Sequence, residues 1–215
     1  MFIIFVAPVP GNTWTLWIPA RFGFSDATEI FVFCSGMASA IAFGGTFARH
    51  GWWMGTARTL HRVWQVYWAH IGLFFVTVAL LLVFNHLGTG VVYTERLYVL
   101  PLFEDTASAL FGLMTLTYVP NYFDILPMYL VILLMMPIVV GLARISPTVA
   151  MAAVVALWLL ATTETIDLPA EPWGDRVWFF NPFAWQLVFF PGFAFLAGWL
   201  KPPPVDRRLV MLALA

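Results

Sequence analysis

The sequence is poor in charge, in cysteine and in the short motifs by which soluble enzymes are recognised, and each scarcity removes a class of answer. Only 10% of its 215 residues are charged, against 62% hydrophobic and 18% aromatic. A soluble domain cannot cover its surface with so few polar groups, so the chain reads as an integral membrane protein. A net charge of −1, with no basic run long enough to grip a phosphate backbone, argues against a nucleic-acid partner. The single cysteine, Cys34, excludes an intrachain disulfide and, inside an apolar run, reads as a small buried hydrophobe. Met1 leads directly into apolar residues without a basic n-region or a small-residue cleavage site, so insertion is expected to rest on the spans themselves. No Walker loop, Cys/His zinc spacing, nucleophile elbow or dinucleotide fingerprint occurs, and no metal is expected.

What is present is a series of apolar stretches, and a helix needs about 20 mostly apolar residues to cross a bilayer. Met1 to Ala7 is too short and stops at Pro8 and Pro10, like the outer end of a span. Gly11-Asn12-Thr13-Trp14 then forms a turn with an interfacial aromatic anchor. The next spans are Ala27 to Gly45, Val63 to Phe84, Ile125 to Ala143, Thr148 to Thr162 and Phe179 to Leu200, with Leu209 to Ala215 as the start of another. The expected fold is an all-α polytopic transmembrane bundle of about six spans, the first and last incomplete, in a single membrane domain over residues 1–215. Arg49 to Arg62 reads as a basic connector, and Asn85 to Asp124 as a surface loop with an amphipathic helix near Ala107 to Leu116 lying on the bilayer. Small residues around Ser35-Gly36 suit the close approach of another helix. Pro137 is expected to kink its span and Pro182 and Pro191 to break theirs.

Orientation follows from the retention of Lys and Arg on the cytoplasmic side of short loops. One side holds Arg49, Arg58, Arg62, Arg144, Lys201, Arg207 and Arg208; the other holds Arg21, Arg96 and Arg176. The N-terminus is therefore expected in the cytoplasm, with the Arg21 to Asp26 clip and the loops from Asn85 and Glu164 outside.

Several polar residues stand out against this background. Asp26 or Ser25 can cap the helix that follows, and Glu29 stands where the acid of a capping box belongs. Both carboxylates would then lie at the mouth of a span, where acids usually face a cavity or a partner. Arg58, His61, Arg62 and Gln65 fall at i, i+3, i+4 and i+7 and give one helical face a polar stripe. Such a stripe suits an anionic headgroup or the phosphates of an acyl carrier such as coenzyme A; it equally suits side chains that snorkel to lipid phosphates. His70, about two turns deeper, is a candidate general base or part of a packed aromatic helix with Tyr67 and Trp68. Glu95, Glu104, Asp105 and Asp124 read as solvated loop acids. Asn181 and Gln186 flank Pro182 and Trp185 at the head of a span, as polar contacts or as helix-packing glue.

The runs Pro10-Gly11-Asn12, Phe22-Gly23-Phe24-Ser25-Asp26-Ala27-Thr28-Glu29 through Phe33 with Ser35-Gly36, Tyr67-Trp68-Ala69-His70, Asp124-Ile125-Leu126-Pro127-Met128-Tyr129 and Asn181-Pro182-Phe183-Ala184-Trp185-Gln186 resemble the OpgC family. These are inner-membrane proteins related to the large superfamily of multi-pass membrane acyltransferases, and the resemblance covers nearly the whole chain. It implies O-acyl transfer, typically of succinyl from cytoplasmic acyl-CoA (succinyl-CoA) to a periplasmic glucan. Implied partners are membrane lipids, the acyl-CoA donor and the glycan acceptor. Asp26, Glu29 and His70 are then the candidate catalytic residues. Arg58, His61, Arg62, Asn181, Trp185 and Gln186 are the candidate substrate-binding ones. Family members carry a histidine before the Pro-Gly-Asn turn, where this chain has Pro8, and continue for further spans beyond Ala215. The chain thus resembles the N-terminal part of a longer OpgC-like bundle, truncated or divergent. Two other readings remain open: a non-catalytic fragment of that fold, and a transporter-like membrane scaffold, since proline-broken helices with intramembrane polar groups are also a transporter's devices.

Overall fold

The computed structural model describes residues 2–7, 9, 11–22, 25–87, 93–163, 165–202, 204, 206, 207, 209 and 211. Pro8, the Gly23-Phe24 pair and most of the Leu209 to Ala215 segment lie outside the described residues. Described elements are α1 (Phe2–Val6), 3-10 turns at Thr13–Trp17 and Pro19–Arg21, α2 (Ala27–Ser39) and a π turn at Ala40–Gly44. They continue with α3 (Gly45–His86), α4 (Tyr93–Arg96), α5 (Pro101–Glu104), α6 (Thr106–Met114), α7 (Ile125–Ile145), α8 (Pro147–Ala161) and α9 (Pro182–Leu196). Among the described residues the only β feature is an isolated bridge between Pro169 and Val177. The all-α class is therefore as expected.

Among the described residues, two helical stretches are long and apolar enough to cross a membrane: Ala27–His86, which contains the spans expected at Ala27 to Gly45 and Val63 to Phe84, and Ile125–Ile145. Helices α8 and α9 have 15 residues each, or about 22 Å at 1.5 Å per residue, short of a hydrocarbon core of about 30 Å.

The chain divides into two compact units, residues 1–44 with 188–215, and residues 45–187. In the first, α2 starts at a capping box. Asp26 Oδ1 accepts the Ala27 N–H at 2.6 Å and Glu29 Oε2 accepts the Asp26 N–H at 3.2 Å. This satisfies free donors of the first turn and sets two carboxylates against the positive end of the helix. Glycines let α2 lie against the second half of α9. A Cβ on Gly36 would fall on the Phe189 carbonyl oxygen, and one on Gly192 on the Phe33 carbonyl oxygen. The expected close approach at Gly36 is thus present and reciprocal. Phe189, Phe190, Phe193 and Val32 fill the space around it, with Phe33 and Phe195 edge to face at 6.1 Å. Cys34 is exposed rather than buried, because the buried positions of α2, Val32, Gly36 and Ser39, follow a different stripe.

The second unit is built on α3, which packs most extensively on α7, and α7 in turn on α8. The stretch from Arg49 to Arg62 is helical rather than a connector, since Arg, His, Thr and Leu tolerate a helix and no proline intervenes. Its one break is Gly51, at φ 84° and ψ 173°, a conformation essentially confined to glycine. Trp52 and Arg144 clasp the break to α7: Trp52 Nε1 donates to the Pro137 carbonyl at 2.9 Å, and Arg144 Nη2 to the Phe47 carbonyl at 3.2 Å. Pro137 and Pro191 both lie inside helices that continue past them.

The segment from Asn85 to Asp124 also departs from expectation. It supplies Val99, Leu102, Ala109, Leu113, Tyr118, Val119 and Phe123 to a core shared with Ile71, Phe74, Val78 and Leu81 of α3. The amphipathic piece, α6, buries Ala109, Gly112 and Leu113 in the protein itself. Tertiary packing has absorbed an apolar face that a surface helix would have given to lipid.

Candidate functional site

The basic stripe of α3 is exposed, and three of its members, His61, Arg62 and Gln65, are connected. Arg62 Nη1 donates to Gln65 Oε1 at 3.4 Å, and the Gln65 amide meets His61 Nε2 at 3.2 Å. Arg58 turns toward the Gly51 break and donates to Thr46 Oγ1 at 2.7 Å. No Asp or Glu occurs from residue 30 to 94 or from 125 to 163, so α3 and α7 carry these cations without internal counter-ions. The guanidinium donors left over by one weak bond on Arg62 and one on Arg58 are therefore available to an anion.

His70 is on another face. At 3.6 residues per turn it lies about half a turn around α3 from His61, in line with the buried residues Thr59, Val66, Phe74, Val78 and Leu81. It is fully buried, and neither ring nitrogen has a hydrogen-bond partner among the described residues. Its ring meets that of Phe123, edge to face at 6.2 Å between centroids.

Asp26 and Glu29 belong to the first unit and His70, Arg58, His61, Arg62, Asn181, Trp185 and Gln186 to the second. Both acids are engaged in the cap of α2. Asn181 begins α9: its Oδ1 accepts the Phe183 N–H at 2.9 Å, and its Nδ2 donates to Asp167 Oδ1 at 2.6 Å and the Ile166 carbonyl at 3.3 Å. With Pro182 as the first helical residue, this is an ordinary N-cap. Gln186 is fully buried. Its Nε2 donates to the carbonyls of Val154, at 2.7 Å, and Phe183, at 3.1 Å, while its Oε1 has no partner among the described residues. Trp185 stacks edge to face with Phe180 at 4.9 Å. The head of α9 therefore uses its amides in packing, the glue that the sequence allowed for.

Sequence reasoning missed a second polar cluster in this unit. Arg176 Nε pairs with Glu171 Oε2 at 3.3 Å, its Nη2 donates to the carbonyls of Val119 and Ala170, and its Nη1 to Asn121 Oδ1 at 3.4 Å. The guanidinium also lies over the Tyr98 ring, 4.6 Å from its centroid. Asp124, expected to be solvated, is buried, and its Oδ2 accepts the Phe179 N–H at 3.2 Å. Burial holds its carboxyl above the ordinary 3.8, against the opposing pull of that N–H and of Arg176. No local pattern announces these contacts, because every one joins residues separated by loops. Among the described residues, three other than glycine have left-handed backbones, Tyr98, Leu116 and Tyr122, at φ 57°, 59° and 69°. All belong to this cap of loops, where strain of about 1–2 kcal/mol per residue is tolerated only if the surroundings enforce it.

No group of three or more metal-ligating side chains occurs among the described residues. In comparisons with known proteins, the model of the family described as OpgC protein matches residues 1–215. Neither the curated proteins nor the solved structures contain a match.

Proposed function

The chain belongs to the OpgC family, and from that membership we propose that it is an OpgC-like membrane O-acyltransferase that moves a succinyl group from cytoplasmic succinyl-CoA to a hydroxyl of a periplasmic glucan. The observation that carries the reading is the match over the full 215 residues. In the reaction an acceptor hydroxyl gives its proton to a base as its oxygen bonds to the acyl carbon, the carbon–sulfur bond breaks, and coenzyme A leaves as a thiolate that then takes up a proton. Arg58, His61 and Arg62 are the donor side of the proposal: all three are exposed, the two guanidiniums are only partly used, and guanidinium forks suit phosphate. His70 is the candidate base.

The same reading places the chain in a bacterial inner membrane as a multi-pass protein with its N-terminus in the cytoplasm. Support comes from the two long apolar helical stretches and from the side on which Lys and Arg collect. On this reading α8 and α9 are short spans that a locally thinned bilayer accommodates.

The test is donor binding by the chain purified in detergent. Titration with succinyl-CoA is expected to saturate, and the pair Arg58→Ala with Arg62→Ala to weaken it by about tenfold or more, two charge-assisted contacts being lost. Equal affinity in the double variant overturns the donor site and leaves these residues as membrane anchors.

A further inference from the structure

We propose that Phe123 is a gate over His70, a positioning residue that decides when a substrate hydroxyl reaches the imidazole. The inference rests on the reading of His70 as a general base, and it starts from an imbalance in the core. A fully buried imidazole without a partner on either nitrogen among the described residues is costly, each orphaned group forfeiting about 1–3 kcal/mol of hydrogen bonding. An apolar residue would serve the packing of α3 better. The closed arrangement is therefore one in which a polar group waits for a partner.

Phe123 is the ring that meets His70, at 6.2 Å, and it also meets Phe74 edge to face at 5.5 Å. Only 8% of its surface is exposed, yet it is carried by a turn rather than by a helix. The Phe123 N–H donates to the Pro120 carbonyl at 3.1 Å, which closes a four-residue turn with Tyr122 at its third position. With φ at 69°, Tyr122 occupies the place where such turns prefer glycine. Its own ring is 76% exposed, so no buried contact of that side chain repays the strain.

Both flanks of the turn are fastened. The Asn121 N–H donates to the Leu97 carbonyl, its Nδ2 to the Arg96 carbonyl, and its Oδ1 accepts from Arg176. On the other side Asp124 accepts the Phe179 N–H on Oδ2 and the Met128 N–H of α7 on its carbonyl. The strain is confined to the corner between these two fixed points, where a local rotation of the turn moves Phe123 off His70 and releases it. Once the ring swings out, a hydroxyl can donate to the free imidazole nitrogen, and the polar group gains the partner it lacks.

The experiment is carbethoxylation by diethylpyrocarbonate of the whole chain in detergent, read at each histidine by peptide mass spectrometry. His61 and His86, both exposed, are the internal references. His70 in the unchanged chain is expected to react about tenfold or more slowly than either, as an opening-limited site does. Tyr122→Gly relieves the left-handed strain and so holds the turn closed, slowing His70 by about fivefold. Phe123→Ala removes the ring and speeds His70 by about tenfold, with His61 unchanged. The proposal is overturned if His70 already reacts like His61, or if Tyr122→Gly leaves its rate unchanged or raises it. A merely structural Phe123 would not make relief of strain at Tyr122 protective, and Tyr122→Gly remains informative if Phe123→Ala fails to fold. No acyl transfer is read, so an inactive chain still reports on the gate, while loss of donor binding bears only on the function proposed above.

Discussion

Replacing Gly36 by alanine tests the packing of the first unit most directly. The added methyl would land on the Phe189 carbonyl oxygen, with the carbonyl carbon at 2.9 Å and the Phe193 nitrogen at 3.1 Å. These are backbone atoms and cannot rotate away, so α2 and α9 must part, and Phe33, Phe189 and Phe193 lose contact together. Overpacking of this kind costs about 1–3 kcal/mol, and the backbone character of the obstacle puts the expected value at the upper end. For a chain of this size about 2–3 kcal/mol corresponds to a fall of about 4–12 °C in thermal midpoint. Gly192→Ala meets the Phe33 carbonyl in the mirror-image way, so the two changes should be strongly non-additive, because helices already parted by one methyl accept the second. Gly72→Ala is the control: nothing lies within 4 Å of its added methyl, and within α3 alanine is favoured over glycine by about 0.8–1 kcal/mol. The assay is thermal unfolding in one detergent, followed by helical circular dichroism. If Gly36→Ala melts within about 1 °C of the unchanged chain, the close approach is not what holds the unit together.

Two further changes follow from the polar groups. Asp26→Ala should lower stability by about 1 kcal/mol through loss of the cap, whereas Asp26→Asn keeps a capping oxygen and should melt normally; activity lost in Asp26→Asn despite a normal melt would mark a role in chemistry, and activity retained would leave the cap as its whole role. Asp124 has a folded pKa above its ordinary 3.8, so the native state holds the proton more tightly than the unfolded chain does; its contribution to stability is complete below that ordinary value and is lost as pH rises through the raised one. Asp124→Asn should remove that component, so melting curves taken across the acidic range that stay parallel in the two proteins would refute the assignment.

What the sequence made legible was local. The cap at Asp26 and Glu29 depends on residues three apart, and α7 and α8, observed at Ile125–Ile145 and Pro147–Ala161, match runs expected at Ile125 to Ala143 and Thr148 to Thr162 because continuous apolar sequence needs no partner to be recognised. The stretch from Arg49 to Arg62 was obscured by its charge, which marks a membrane boundary without marking the end of a helix. The loop from Asn85 to Asp124 hid a core for a different reason. Its buried residues come one or two at a time from α5, α6 and the turns between them, so no single period runs through them. The Arg176 cluster was out of reach, since Val119, Asn121 and Glu171 converge on it only after the loops have folded.

Hydrogen-bond accounting separates candidate residues that composition left equivalent. A polar side chain near a membrane span can be there for the fold or for a ligand, and the two differ in whether its donors and acceptors are used. Asn181 has its oxygen and amide engaged within its own loop, and the carboxylates of Asp26 and Glu29 close a capping box; for these the fold is a sufficient reason. Gln186 is intermediate, its amide nitrogen bonded twice and its oxygen not at all. His70 stands at the other end, with no partner for either nitrogen among the described residues and no exposure. Folding alone would select against such a residue, because an apolar side chain of like size would spare the desolvation of two polar atoms. The imidazole is therefore the candidate whose presence the fold explains least, and access to it, rather than its identity, is the property that the Phe123 turn controls.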